Sequence, residues 1–123
     1  MLLSPASDLT LSNPKIPAVA PTDPWLGVEG IRVYAEQWAG QLPLTDPRVS
    51  PLHGDFAGLG PMLLLIGTHD ILNPDAHLVI DKARAAGVPA TLLERRGAVH
   101  VFPLLLTRTA AEARNRIVEA LRA

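Results

Sequence analysis

None of the 123 residues is cysteine. That excludes a disulfide framework and any thiolate-bound metal, and it is compatible with every compartment. Charge is also scarce. Only 19% of residues are charged, and 11 Lys and Arg against 12 Asp and Glu leave a net charge of −1. No basic cluster stands out beyond the pair Arg95-Arg96. There is therefore no electrostatic reason to expect nucleic acid or an anionic membrane as a partner. No run of 18 apolar residues exists, and the opening "MLLSPASDLT" is too short an apolar stretch for a signal peptide. The expectation is a soluble, cytoplasmic chain with no membrane span. Repeats and low-complexity tracts are absent.

What is abundant is apolar surface. The hydrophobic fraction is 48% and the mean hydropathy is +0.21. That is apolar for a soluble domain this small, which must expose much of its surface to water. Such a chain forms a partner interface or is a piece of something larger.

The chain divides by texture. Residues 1–61 are proline-rich and irregular, with "SNPKIPAVAPTDPW" and "TDPRVSPLHGDFAGLGP", which cannot sustain long helices or central strands. One helix is predicted inside them, from Val28 to Ala39. Ile31, Tyr34, Ala35 and Trp38 share a face there, and Gly40 suits the C-terminal cap. Trp38 is read as the core anchor of that helix.

Residues 62–123 are regular. "MLLLIG", Met62 to Gly67, is apolar without alternation, as in a strand buried on both faces. Asn73-Pro74 fits an N-cap followed by proline at the first helical position. Ala76, Val79, Ile80 and Ala83 then repeat with helical spacing, and Gly87 ends the helix. "PATLLE", Pro89 to Glu94, is a second strand. Thr109 to Glu112 has the form of a capping box and opens a helix with Ala110, Ala113, Ile117 and Leu121 on one face. The first three of these elements make a βαβ unit, so the two strands are expected to be parallel neighbours with a right-handed crossover.

Ligands of open α/β sheets bind beyond the carboxyl ends of the strands. The residues just past the two predicted strands are "THDILN" and "RRGAVHVF". Asp70 and His100 can therefore meet at one sheet edge. A carboxylate that accepts a hydrogen bond from one imidazole nitrogen fixes the tautomer and leaves the other nitrogen free to take a proton. The nucleophile such a pair would serve is missing. There is no G-x-S-x-G, and Ser4, Ser7, Ser12 and Ser50 lie in proline-containing contexts unlike a strained elbow.

"GTHDILNPDA", "KARAAGVPATLLE" and "GAVHVFP" together resemble the C-terminal part of α/β-hydrolases of the hormone-sensitive-lipase-like esterase group. "LLSPASDLT" looks like the end of the preceding sheet strand, and "DPRVSPLHGDFAGLGP" like the loop before the acid-bearing strand. The resemblance implies a partial α/β-hydrolase fold. Residues 1–123 would form a single partial domain, with 1–61 an irregular, cap-proximal segment containing one helix and 62–123 a C-terminal βαβα unit of a mainly parallel sheet. It implies that Asp70 is the acid and His100 the base of a Ser-Asp-His triad. The serine and the oxyanion-hole glycines would lie upstream of Met1. A small ester would be the substrate once the site is completed, and no cofactor is implied.

Other residues have plainer readings. Asp75, the rival to Asp70, sits in the first helical turn, where a carboxylate favours the helix dipole. His53, His69 and His77, with Asp55 and Asp70, make no convergent metal set. Trp25 and Phe102 could line an acyl pocket, with core packing the simpler role. "LLL" at 104–106 is weak evidence for a membrane-touching patch. The other functional reading is an inactive hydrolase fragment acting only through an interface, or a broken gene product. Either way, few parallel strands leave an unprotected sheet edge. Self-association or a partner covering that edge is expected.

Overall fold

A computed structural model of the protein describes residues 1–122. Three parallel strands form its sheet: β1 (Leu2–Leu3), β2 (Met62–His69) and β3 (Ala90–Val99), in the order β1-β2-β3. The helices are α1 (Ile16–Val19), α2 (Val28–Ala39), α3 (Asn73–Ala85) and α4 (Arg108–Arg122).

The unbroken apolar run of β2 is explained by what covers its two faces. Leu64 and Ile66 point into one cluster with Ala76, Val79, Ile80 and Ala83 of α3. Leu65 faces the opposite cluster, with Phe102, Ala113 and the partly buried Ile117. Successive side chains of a strand point to opposite faces, so only a strand covered on both sides needs apolar residues throughout. Each such aliphatic side chain contributes roughly 1.5–3 kcal/mol of burial.

Gly87 ends α3 as expected. It has φ +76°, and the amides of Val88 and Gly87 donate back to the carbonyls of Ala83 and Arg84. These bonds satisfy carbonyls that the last turn leaves free.

Several local expectations are corrected. Leu72, not Asn73, occupies the cap position of α3, and no side chain caps it. The Asn73 amide is used elsewhere, donating to the Gly67 carbonyl at 3.1 Å and to the Glu94 carboxylate at 2.9 Å. Helix α4 begins one residue before the expected cap. Thr107 Oγ1 accepts the Ala110 amide at 3.1 Å, so Thr107 caps it. Glu112 faces Arg95 and Arg108 instead. On α4, Ala110 and Ala113 are buried while Leu121 is exposed.

Trp38 is no core anchor. It is 78% exposed and Tyr34 is 74% exposed, while Ala35 and Ala39 are the buried residues of α2. Trp25 is exposed as well, so it does not pack in the core. Phe102 does. Among the described residues, no helix is long and apolar enough to cross a membrane.

Both strands also run further than the apolar pattern indicates, to His69 and Val99. From the pair Gly67–Arg95 to the pair His69–Val99, β2 advances two residues and β3 four. This bulge is where the backbones come closest. A Cβ on Gly67 would collide with the Ala98 carbonyl. Gly97 has φ +71°, a conformation glycine adopts at no steric cost. Thr68 Oγ1 accepts the Gly97 amide at 2.8 Å and pins the bulge.

Candidate active site

Asp70 follows directly on β2, and its backbone starts the turn into α3. Its Oδ1 accepts the Leu72 amide at 3.0 Å, and its carbonyl accepts the Asn73 amide at 2.9 Å. A short carboxylate that bonds the amide two residues on closes such a turn without help. Asp70 is fully buried. A buried carboxylate is costly unless both oxygens are occupied.

The second oxygen faces His100. Asp70 Oδ2 lies 3.0 Å from His100 Nδ1. The bulge delivers the imidazole there, because two extra residues of β3 carry the chain across the end of β2. The Asp70 side chain has no exposed surface and that of His100 is 24% exposed. An ionised carboxylate can only accept, so this contact requires the proton on Nδ1. Nε2 is then the basic nitrogen, in a side chain that solvent reaches. The arrangement can orient an imidazole and have it accept a proton.

Two further contacts tie this edge to the irregular half of the chain. The Ile71 amide donates to Asp23 Oδ2 at 2.9 Å, and the Val101 amide donates to Ser4 Oγ at 2.9 Å. Sequence reasoning missed both, since they span 48 and 97 residues. The Asp-Pro pair at residues 23 and 24 is a turn signal, but it does not say which distant amide the carboxylate takes.

The remaining site candidates separate. His53 Nε2 lies 3.1 Å from Asp8 Oδ1, and His77 Nε2 lies 2.6 Å from Glu94 Oε2. Among the described residues no three His, Asp or Glu side chains converge on a position for a metal ion. Asp75 is buried in the first turn of α3, with Oδ1 bonded to Asn13 Nδ2 at 2.8 Å and Oδ2 without a partner. Burial pushes its carboxyl above the usual range, Asn13 opposes that, and the Asp8 charge adds to the rise. For Asp8, burial pushes up, while the Thr10 hydroxyl and amide and His53 outweigh it and leave the carboxyl low. Glu94 is held low by the Asn73 amide, against burial, with help from His77.

The serines have other contacts. Ser50 is buried, donating to the Leu44 carbonyl at 2.5 Å and accepting the Leu9 amide at 2.8 Å. Ser12 Oγ lies 2.8 Å from Thr10 Oγ1, whose single proton goes to Asp8, and the buried Ser7 hydroxyl has no partner.

The sequence pattern of the alpha/beta hydrolase fold family matches residues 1–104. The chain is 30% identical over 100 residues to an acetyl-hydrolase of Streptomyces hygroscopicus, a match covering 81% of this chain and 33% of that protein. It is 33% identical over 93 residues to a triacylglycerol lipase of Mycobacterium tuberculosis, covering 76% of this chain and 21% of that protein. Among solved structures, an esterase from the bacterial hormone-sensitive lipase family superposes with a TM-score of 0.93 at 31% identity, covering 98% of this chain and 41% of that one. A hormone-sensitive-lipase homologue from a metagenome library gives the same TM-score at 28% identity, with 98% and 42% covered. The chain thus spans a fifth to a third of the length of these curated relatives.

Proposed function

This chain belongs to the alpha/beta hydrolase fold family, and on that premise we propose that it is the C-terminal portion of a serine carboxylic-ester hydrolase. The observation that carries the reading is the 3.0 Å contact between buried Asp70 and His100 Nδ1 at the carboxyl ends of adjacent parallel strands. Asp70 orients the imidazole and stabilises its charged form. His100 Nε2 takes the proton of a serine hydroxyl as the serine oxygen attacks the ester carbonyl. It returns that proton to the departing alcohol, which leaves an acyl-enzyme. Water, deprotonated by the same nitrogen, then releases the acid and restores the serine. Short carboxylic esters are the proposed substrates.

The serine and the oxyanion donors come from a segment outside these 123 residues. That segment also supplies the strands that continue the sheet beyond β1, an edge strand of two residues. Without it, the exposed edge is expected to pair with another copy or another partner. One observation favours the second reading, an inactive fragment or broken gene product: none of the four serines makes a hydrogen bond to His100.

The test is hydrolysis of p-nitrophenyl acetate by the chain alone and by a chimera. The chimera fuses the nucleophile-bearing segment of a hormone-sensitive-lipase-like esterase ahead of residue 1. Background rates for the chain and turnover by the chimera are expected. A folded chimera that stays at background would leave the inactive reading standing.

A further inference from the structure

Ile71 and Val101 occupy matching places, each the residue directly after one member of the Asp70–His100 pair. Each donates its backbone amide, at 2.9 Å, to a side chain from the first 23 residues. We infer that Ser4 and Asp23 are positioning residues which hold His100 and Asp70 in register by clamping the next backbone amide. The inference rests on the acid–base reading of that pair.

The Ser4 clamp joins two strained residues. Val101 has φ +45°, a conformation costly for a β-branched side chain, and Ser4 has φ +43°. Such residues persist only where their surroundings over-determine them. On one side Ser4 is fixed to the sheet, its amide donating to the Leu65 carbonyl at 2.9 Å. On the other, buried Phe102 holds Val101 from the next position. The one hydrogen bond between these fixed points spans the His100 loop and leaves the imidazole little freedom to turn from Asp70.

Asp23 does the same for the acid. Its Oδ1 accepts the Trp25 and Leu26 amides, both at 2.9 Å, which shapes its own turn and leaves Oδ2 for Ile71. The backbone leaving Asp70 is thus fixed at two successive amides, by Asp23 at Ile71 and by the Oδ1 of Asp70 itself at Leu72. Neither Ser4 nor Asp23 touches the reacting atoms, so neither is a catalytic residue.

The experiment reads ring tautomers and amide exchange by NMR in the 123-residue chain. In the wild type the His100 proton is expected on Nδ1. In Ser4→Ala and in Ser4→Gly, Nδ1 occupancy should fall toward a mixture of tautomers. The Val101 amide should exchange about tenfold faster, as expected for one lost hydrogen bond, while Leu64 in the sheet is unchanged. Asp23→Ala should do the same at Ile71. Ser4→Gly decides between bond and strain, because glycine relieves the positive φ yet removes the acceptor. It also serves if Ser4→Ala fails to fold. A glycine variant that keeps both the Nδ1 proton and slow Val101 exchange would overturn the inference and leave the acid–base reading intact. A wild-type His100 with no preference for Nδ1 would overturn that reading itself, and this inference with it.

Discussion

Single residues decide whether the Asp70–His100 pair forms, and Gly67 is the most exacting of them. Its Cβ-free backbone lies against the Ala98 carbonyl where β2 and β3 change register. Gly67→Ala is expected to cost about 2 kcal/mol through forced backbone movement, and a urea titration would measure it. An unchanged midpoint would mean that the bulge can shift freely. Asp75 is a different case. Burial raises its carboxyl pKa above the unfolded value, so the ionised group opposes folding at neutral pH. That cost is full above its folded pKa and is relieved as pH falls through it. Asp75→Asn should therefore melt higher than wild type near neutrality, with the gap closing toward a pH of about 4. Asp8 and Glu94, both held low, act in the opposite sense. Their contributions are present above their unfolded values and are lost as pH falls through the folded ones. That Asp70 and His100 follow two strands is legible in the sequence, because each strand leaves an apolar run, although the strand ends lie further on, at His69 and Val99. Ser4 and Asp23 are not, because their partners are fixed only by the assembled sheet.

At the scale of elements, pattern identified β2 and α3 because burial on both strand faces and on one helix face leaves a direct periodic trace. The caps were less legible. The sequence pattern places the start of α4 at Thr109, whereas Thr107 Oγ1 is the acceptor of the Ala110 amide. Thr107→Ala should destabilise the protein by about 1 kcal/mol, while Thr109→Ala should have a smaller effect. Thermal melts of the pair would show the order, and the reverse order would return the cap to Thr109. The error at Trp38 has a physical cause. Apolar spacing marks a helix face that some neighbour can cover, and it does not say that the neighbour is within these residues. Here only the small residues Ala35 and Ala39 are buried against Leu9 and Val49.

The whole molecule has more apolar surface than it covers. Tyr34 and Trp38 flank an open cleft of about 600 Å³ lined by Leu9, Ile31 and Val49. Among the described residues, no strand pairs with β1 on the side away from β2. The high mean hydropathy is consistent with this exposed apolar surface, and the proposed upstream segment would cover part of it. Sedimentation velocity of the chain alone should show concentration-dependent association. The chimera, with those surfaces covered, should sediment as a smaller set of defined species. A chain that stays monomeric at every concentration would mean that its edge is protected by its own residues.

The most direct test of His100 as the base and Asp70 as its orienter is the kcat/KM of the chimera on p-nitrophenyl acetate, measured beside His100→Ala and Asp70→Asn. Loss of a triad member lowers acyl transfer by about 10³-fold or more. Both variants should fall at least that far while remaining folded. Retention of wild-type kcat/KM by a folded His100→Ala variant would contradict the assignment.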